Sequence, residues 1–298
     1  MFFLYLLLAV GGALAGKYAV QKMTGRTIPL IPGTTPGGGG TQSSTKLQAS
    51  SDDAHGIDVS SAQGVIDWDK VAASGMVQFC IIKTTEGASG VDGKAAFNYA
   101  GAGTHGIKKL AYHFAHYGSP NAILDPRQQA QFFCQKIKEF GGIDGPPTLD
   151  FELVDSKTNL SPLSPAATCQ WAVDFIDEMH KQGYPEVWLY SYPSYLLQLG
   201  KALADSGLAA MCKLWIADYG QTVNQSGDVA DGATPMIWTN KQYASVGALW
   251  PTWVCWQTHG NDNLPKGTGS PRIPGIGDAV DRNRFNGTLK QMSGGLLA

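Results

Sequence analysis

Short apolar runs and longer amphipathic segments alternate along the chain from about residue 54 onward. Short runs bounded by turn residues predict buried strands, and segments with apolar residues at helical spacing predict helices. Helices are predicted between successive strands, so the two element types alternate. The predicted strands are Gly56–Val59, Val77–Lys83, Lys109–Phe114, Thr148–Glu152, Val187–Tyr190, Lys213–Ala217, Trp253–Gln257 and Ala279–Asp281.

Two of the predicted helices have clear boundaries. Asp125-Pro126 precedes the segment Arg127–Phe140, and Ser164-Pro165 precedes the segment Ala166–Gln182. A side chain that accepts a hydrogen bond from a free backbone N–H, followed by proline, is typical of a helix start. Glycines follow both segments, as expected at a helix end.

This alternation predicts an α/β fold, an irregular TIM-like (β/α) barrel that forms a single catalytic domain at residues 54–290. The alternative is an open, doubly wound sheet. A nucleotide-binding sheet of that kind would carry a glycine-rich turn after its first strand, and no such turn follows Val59 in the sequence. The closed barrel is therefore the preferred interpretation.

Residues 1–22 are predicted to be a membrane anchor or a signal segment. Phe2–Gly16 carries no charge, but it is shorter than the ~20 residues that span a bilayer. Ala13-Leu14-Ala15 fits a signal cleavage site, whereas the basic start of a signal peptide is missing. The basic residues Lys17, Lys22 and Arg26 suit a membrane-proximal flank. We favour an uncleaved anchor, with a cleaved export signal as the alternative.

Residues 23–53 are predicted to be a flexible linker. Gly, Pro, Ser and Thr dominate this segment, most densely at Pro32–Gly40, and such a composition cannot bury enough apolar surface to order itself. Because the linker ends at residue 53, the globular part is expected to start near His55. Residues 291–298 are predicted to be a C-terminal tail.

Charge and cysteine content exclude several classes of protein. The chain has 22 basic and 24 acidic residues, which is not the signature of a nucleic-acid-binding protein. No metal-ligand cluster and no cofactor motif occurs in the sequence, so neither a metal nor a cofactor is predicted. Apolar neighbours favour buried thiols for the cysteines, with one or two disulfides as the alternative. Their wide spacing excludes the usual zinc sites: Cys80, Cys134, Cys169, Cys212 and Cys255.

Acidic and aromatic residues stand at the ends of the predicted strands, where such barrels carry their chemistry. Asp150 and Glu152 alternate with Phe151, so the two carboxyl groups share one face. Two close carboxyl groups raise the pKa of at least one, which leaves a protonated acid beside a carboxylate near neutral pH. Glycoside hydrolysis needs such a pair. Other strand ends supply Asp58, Tyr112, Tyr190, Tyr219, Gln257 and Asp281.

Eight short motifs follow one another in an order that resembles a known family. Any single motif is weak evidence, but their order is specific. They resemble family 25 of the glycoside hydrolases, the muramidases of phage lysins and bacterial autolysins, over about residues 55–287. The motifs are His55–Ser60 with Gln63–Trp68, Ile82–Gly87, Tyr112–Phe114, Leu149–Glu152, Leu189–Ser191, Leu214–Tyr219, Trp256-Gln257 and Val280–Phe285.

The resemblance implies a peptidoglycan hydrolase that cleaves the β-1,4 bond between N-acetylmuramic acid and N-acetylglucosamine. Glu152 then corresponds to the general acid, and Asp150 to the group that stabilises the 2-acetamido group of the substrate in a retaining, substrate-assisted reaction. Whether a protein carboxylate attacks instead is left open by the sequence. Asp58 and Asp281 match flanking acids of the family. The expected sugar-binding residues are Tyr112, Tyr190, Trp215, Tyr219 and Gln257.

Some of these residues also have a structural interpretation. Trp215 is as readily explained as barrel core, and Asp281 as an ion pair with a neighbouring arginine. His113 is interpreted as a packing residue rather than a base. Lys83 and Glu86 are expected to pair with each other, so both stay outside the catalytic set.

The expected partners are peptidoglycan glycan strands and, through the N-terminal segment, a membrane. The enzyme is expected to be membrane-anchored or exported and to act at the cell wall, and a virion assembly is a further candidate context. Two other functions remain open: a barrel that binds glycan without cleaving it, and a hydrolase directed at chitin. The segment 220–252 is longer than the family requires, so we expect it to extend the cleft or to bind a partner.

Overall fold

The computed structural model describes residues 46–119, 121–153, 163–219, 229–260, 273–277 and 280–292. The predicted anchor or signal segment, the linker before residue 46 and the tail beyond residue 292 lie outside these residues. Within them, no helix combines the length and the apolar character that crossing a bilayer requires.

The strands lie close to their predicted positions, with small shifts at their ends. The first six predicted strands correspond to elements that begin or end within a few residues of the expected limits, and the last two are longer or displaced. The strands are β1 (Ala54–Val59), β2 (Phe79–Glu86), β3 (Gly90–Val91), β4 (Lys108–Phe114), β5 (Gly118–Ser119), β6 (Ala122–Ile123), β7 (Pro147–Asp150), β8 (Trp188–Ser191), β9 (Lys213–Ala217), β10 (Trp253–His259) and β11 (Asp281–Phe285).

Eight of these strands close into a barrel, which confirms the predicted fold class. β1, β2, β4, β7, β8, β9 and β10 are parallel, and each is hydrogen-bonded to the next. β11 closes the ring by pairing with both β10 and β1. The short strand β3 pairs with the end of β2, and β5 and β6 form a separate hairpin.

The last strand departs from its prediction in position and direction. Asp281 is the first residue of β11, whereas the sequence pattern placed it at the end of a strand Ala279–Asp281, so that prediction was wrong. β11 is antiparallel to both of its neighbours. Because the strand runs in the opposite direction, its first residue lies at the same end of the barrel as the last residues of the parallel strands. Asp281 consequently pairs with Asp58 across β1 and β11.

Helices cover the outside of the barrel, and the two longest begin as predicted. Asp125 accepts a hydrogen bond from the Arg127 N–H, and Ser164 accepts one from the Ala167 N–H. Proline then occupies the first turn of both helices. The helices are α1 (Trp68–Ala73), α2 (Ala95–Thr104), α3 (Pro126–Glu139), α4 (Pro165–Lys181), α5 (Pro193–Leu199), α6 (Lys201–Asp205), α7 (Leu208–Met211), α8 (Met236–Thr239), α9 (Ala244–Gly247) and α10 (Leu289–Met292).

The buried apolar side chains of the described residues form two cores. The larger core lies between the strands and the helices, and the smaller one fills the barrel interior with residues such as Phe79, Trp188 and Phe285. Trp188 stacks on Phe285, with ring centroids 5.9 Å apart. The interior is so tightly filled that a Cβ atom at Gly56 would come within 2.5 Å of the Phe79 ring. The barrel is therefore packed with side chains below the end that carries the acidic residues.

The folded domain begins earlier than the predicted boundary at residue 54. Residues 46–53, assigned by composition to the linker, are hydrogen-bonded to the barrel. Lys46 O accepts from Thr252 Oγ1 and Asn286 Nδ2, and Leu47 O accepts from Trp253 Nε1 at 2.8 Å. We refer to residues 46–53 as the N-terminal strap.

A buried arginine joins the strap to the barrel. Arg284 points outward from β11 and donates to Ser50 O at 2.8 Å and to Val229 O at 2.7 Å. The carboxylate of Asp53, which is fully buried, lies 4.0 Å from its Nε atom and also pairs with Lys46. The strap and Val229 are therefore bound to the same side chain.

The described part of the segment 220–252 is held together by its own tryptophans. The Trp238 indole donates to Gly247 O at 3.1 Å and to Trp250 O at 3.2 Å. Trp250 is buried and donates to Cys212 O at 3.2 Å. These indoles stabilise the segment and attach it to the barrel, while its expected role in the cleft or with a partner stays a prediction.

All five cysteines are buried and unbridged. Burial raises the pKa of each thiol, to about 12 for Cys134 and to about 11 for Cys169, so the thiolate form is disfavoured. The interpretation as buried thiols agrees with this arrangement.

The Asp53→Asn variant should lower the free energy of unfolding by about 2–3 kcal/mol, because it removes the buried charge that faces Arg284 and pairs with Lys46, and leaves the exposed Asp231 as the carboxylate partner of Arg284. Urea unfolding of the full chain, followed by circular dichroism, measures the effect. Asp52→Asn is the matched control, since Asp52 is adjacent but exposed and should change stability by less than about 0.5 kcal/mol. Equal effects of the two variants would show that the strap does not depend on the Asp53 carboxylate.

Candidate active site

Four predicted acidic residues meet at one end of the barrel. Asp58 lies near the end of β1, and Asp281 is opposite it on β11. Asp150 is the last residue of β7, and Glu152 follows two residues later, beyond the end of the strand. Phe151, between them, is buried in the outer core, so the alternation of faces continues past the strand end. The structure therefore brings together all four residues that the sequence singled out as catalytic.

The Asp58 carboxylate is buried and is held by two side-chain amides. Its Oδ2 atom accepts hydrogen bonds from Gln257 Nε2 at 2.8 Å and from Asn283 Nδ2 at 2.6 Å. Hydrogen bonds of this kind stabilise the ionised form of a carboxyl group. Burial raises the pKa of Asp58 and these hydrogen bonds lower it. Burial has the larger effect, so the pKa of Asp58 is raised to about 6.

The Gln257 side chain connects the acids to two tyrosines. Its Oε1 atom accepts hydrogen bonds from the Tyr190 hydroxyl, at 2.9 Å, and from the Tyr219 hydroxyl. Its Nε2 atom donates to Asp58 and, at 3.4 Å, to Asp281. The two carboxylates thus face the amide nitrogen, and the two phenols face the amide oxygen. Gln257, which the sequence assigned to sugar binding, is buried beneath the site and organises it.

Asn283 is a site residue that the sequence analysis missed. It lies on β11 two residues after Asp281, so both side chains are on the inner face of the barrel. The spacing Asp281-x-Asn283 repeats the spacing of Asp150 and Glu152 and was available as a signal. Its Oδ1 atom accepts a hydrogen bond from the indole of Trp215 at 2.8 Å.

Two further acidic residues have raised pKa values. Burial raises the pKa of Glu152 to about 7, with a contribution from the negative charge of Asp58. Burial raises the pKa of Asp150 well above its usual range, and the charge of Glu152 adds to this. Lys83 acts in the opposite direction on both groups. Near neutral pH the site therefore retains protons that free carboxyl groups would have lost, as expected for a site with a general acid.

Lys83 and Glu86 pair with each other at the edge of the site, as expected. Lys83 Nζ lies 2.5 Å from Glu86 Oε2 and 5.0 Å from the centre of the Phe114 ring. The ammonium group holds the pKa of Glu86 below its usual range. The Lys83 ammonium of this pair is the positive group that acts to lower the pKa of Asp150 and Glu152.

Aromatic rings lie directly below the acidic residues. The Tyr190 and Trp215 ring centroids are 4.6 Å apart, and the Tyr112 and Trp215 centroids are 6.5 Å apart in an edge-to-face arrangement. Tyr112, Tyr190 and Tyr219 are partly exposed, whereas Trp215 is only 2 % exposed. The three tyrosines are therefore accessible to a ligand, and Trp215 lies underneath them in the barrel interior.

Two polar residues at strand ends face away from the site. His113 is fully buried between β4 and the helices, where its ring contacts Thr85 Oγ1 at 2.8 Å and Gln129 Oε1 at 3.0 Å. Burial lowers the pKa of His113 to about 4, so it is neutral, and its ring stacks on Phe175. Asp218 accepts a hydrogen bond from the Met236 N–H outside the barrel. The interpretation of His113 as a packing residue agrees with this position.

Comparisons with known proteins agree with the predicted family and fold. The sequence model of glycosyl hydrolases family 25 matches residues 57–265. Lysozyme M1 of Streptomyces globisporus is 29 % identical over 257 residues, which cover 86 % of this chain and 75 % of that protein. The N,O-diacetylmuramidase of Chalaropsis sp. is 32 % identical over 148 residues, covering 47 % of this chain and 66 % of that protein. The crystal structure of a bacterial lysozyme from Streptomyces coelicolor superposes with a TM-score of 0.60 and 26 % identity, covering 82 % of this chain and 97 % of that one.

The Glu152→Gln variant should be more stable than the wild type at pH 8 and similar to it at pH 4. A carboxyl group whose pKa is raised from 4.5 to about 7 on folding stabilises the folded state below the unfolded pKa, and that contribution is lost as the pH rises through 7. The neutral amide removes this loss, which predicts a gain of roughly 1–3 kcal/mol at pH 8. Urea unfolding at both pH values measures it.

Glu139→Gln is the control for this prediction. Glu139 is exposed on α3, and its hydrogen bond with Lys136 lowers its pKa instead of raising it. Its replacement should give no gain in stability at pH 8. A gain of equal size in both variants would contradict the assignment of a raised pKa to Glu152.

Proposed function

This chain belongs to glycosyl hydrolases family 25, and from that membership and the geometry of its acidic residues we propose that it is a muramidase acting on peptidoglycan. The bond cleaved is the β-1,4 linkage between N-acetylmuramic acid and N-acetylglucosamine. Lysozyme and muramidase relatives support peptidoglycan as the substrate. Catalysis requires Glu152 as the general acid, Asp150 as the stabilising carboxyl group, and Asp58 and Asp281 as flanking acids.

The observation that carries this proposal is the raised pKa of Glu152, about 7, at the end of the barrel where Asp150 and Asp58 also lie. A general acid must be protonated when the substrate binds, and its pKa should lie near the working pH. Lys83 prevents the pKa values of Glu152 and Asp150 from rising further. Glu152 is thus the acidic residue best suited to protonate the leaving oxygen.

In the proposed reaction, the acetamido oxygen of the muramic acid residue attacks the anomeric carbon while Glu152 protonates the departing oxygen. The Asp150 Oδ1 atom has no hydrogen-bond partner among the described residues and is buried, so it can accept the acetamido N–H. Because burial raises the pKa of Asp150, this hydrogen bond, rather than a full negative charge, is its proposed support for the positively charged ring that forms. Glu152, now ionised, accepts a proton from the water that attacks the same carbon. The bond from that carbon to the acetamido oxygen breaks, the acetamido group is regenerated, and two displacements leave the configuration retained.

The accessible tyrosines are suited to the sugar-binding role. Tyr112 lies on β4, Tyr190 on β8 and Tyr219 just beyond β9, and the ring of a tyrosine offers both an apolar face and a hydroxyl group to a sugar. Hydrogen bonds to Gln257 fix two of these hydroxyl groups before any ligand arrives. The cleft is accordingly preorganised on that side.

Glu152→Gln should lower the turnover of purified peptidoglycan by ~10²–10⁴-fold, because the amide cannot donate the proton. Turbidity loss and mass analysis of the released muropeptides measure the activity, with Glu139→Gln as a distant control that keeps full activity. Chitin serves as the comparison substrate. A wild type that cleaves chitin at least as well as peptidoglycan, or that binds peptidoglycan without cleaving it, would overturn the proposed function. A Glu152→Gln variant with more than about a tenth of wild-type activity would overturn only the role of Glu152.

We further propose that residues 1–22 attach the enzyme to a membrane, so that it acts on the adjacent cell wall. The support is the uncharged run Phe2–Gly16 followed by Lys17, Lys22 and Arg26. The full chain should then sediment with membranes with Met1 retained, whereas a chain starting at Lys46 should be found in the aqueous fraction with unchanged activity on solubilised peptidoglycan. A mature protein that begins near Gly16 in the aqueous fraction would show a cleaved signal.

A further inference from the structure

We propose that Trp215 and Asn283 are a positioning pair for Asp58, through which an indole inside the barrel determines the orientation of a carboxylate in the active site. This inference rests on the proposed hydrolase function for its effect on turnover. Trp215 then contributes to catalysis without touching the sugar, in contrast to the sugar-binding role that the family resemblance implied for it.

The chemistry of the groups determines the direction of this chain of hydrogen bonds. An indole N–H can only donate, so the Asn283 atom that lies 2.8 Å from Trp215 Nε1 must be the amide oxygen. The amide nitrogen of Asn283 is therefore directed at Asp58 Oδ2, 2.6 Å away. The Trp215 N–H therefore determines that Asp58 faces the amide nitrogen of Asn283 and not its amide oxygen.

Packing holds the indole in its place. Trp215 is 2 % exposed and lies against the rings of Tyr112 and Tyr190. A side chain enclosed on this scale has one accessible rotamer, because neighbouring atoms occupy the alternatives. Its N–H group therefore has a fixed position from which it donates to the Asn283 amide oxygen.

Asp58 depends on this arrangement because it is buried. Its Oδ2 atom receives the amide N–H groups of Asn283 and Gln257, which favour the ionised form. Without the indole N–H, the Asn283 amide could turn and present its oxygen to Asp58. Two oxygen atoms at this distance require a proton between them, so loss of the donor should raise the pKa of Asp58 and release its side chain from one orientation.

Several other titratable groups surround Asp58 and affect the same measurement. The carboxyl groups near Asp58 belong to β11, to β7 and to the residues that follow β7. The phenols belong to β4, to β8 and to the residues that follow β9. The buried thiols belong to β2 and β10. A variant at Trp215 or Asn283 removes none of them, so a change in the titration of Asp58 reports the hydrogen-bond chain. The groups are Asp281, Asp150, Glu152, Tyr112, Tyr190, Tyr219, Cys80 and Cys255.

The test compares Trp215→Phe, Asn283→Ala and the double variant in the full chain. Trp215→Phe keeps an aromatic ring in the core and removes the N–H group. Trp188→Phe is the matched control, because Trp188 lies in the same interior core and donates to Glu186 Oε1 at 2.8 Å, away from the active site. Carbon NMR of labelled aspartate carboxyl groups gives the pKa of Asp58, and steady-state kinetics on solubilised peptidoglycan give kcat and KM over a range of pH.

We expect Trp215→Phe and Asn283→Ala each to raise the pKa of Asp58 by about one unit and to move the acidic limb of the kcat profile to higher pH by the same amount. KM should stay unchanged, and the double variant should be no worse than Asn283→Ala alone, because both residues act through one chain. Trp188→Phe should lose comparable stability but keep the wild-type pKa of Asp58 and the wild-type pH profile.

Three results would overturn the proposal. The first is an unchanged pKa of Asp58 in Trp215→Phe, and the second is strictly additive losses in the double variant. The third is a raised KM with an unchanged pH profile, which would assign Trp215 to sugar binding. Failure of the proposed function would be a separate result. If the wild type were inactive, the kinetics would give no information, but the NMR titration of Asp58 would still test whether Trp215 and Asn283 position its carboxylate.

Discussion

The crowding of acidic side chains at one end of a packed barrel is the constraint on which the rest of the structure depends. Burial disfavours the ionised form of each carboxyl group, and each negative charge disfavours the next. The protein answers in two ways. Amide N–H groups stabilise the Asp58 carboxylate, and Glu152 keeps its proton up to about pH 7. The same crowding that lowers stability near neutral pH therefore provides both a hydrogen-bonded carboxylate and a protonated acid.

The inverted strand β11 makes this arrangement possible. Its inner face brings Asp281 and Asn283 to the mouth of the barrel, and its outer face directs Arg284 toward the N-terminal strap. Since β11 is hydrogen-bonded to both β10 and β1, it joins the two ends of the parallel series. One short strand thus closes the barrel, completes the candidate active site and fixes the residues that precede β1.

The parts of the fold that were predicted correctly depend on neighbouring residues in the chain. Asp125-Pro126 and Ser164-Pro165 begin helices because the capping side chain and the proline act on the adjacent turn. Asp150 and Glu152 share a face because side chains alternate along an extended backbone. Residues 46–53 were assigned to the linker because their composition gives no sign of the barrel contacts that hold them.

The sequence by itself determined the alternating strands and helices, the barrel class and the family, and it singled out the four acidic residues proposed as catalytic, since local periodicity, capping and motif order carry that information. Only the tertiary structure decided that β11 runs antiparallel, that Asn283 contacts Asp58, and that Trp215 lies beneath the site. The direction of a closing strand is selected by partners far away in the chain. The pKa of a carboxyl group likewise depends on burial and on neighbouring charges, which exist only once the barrel has closed.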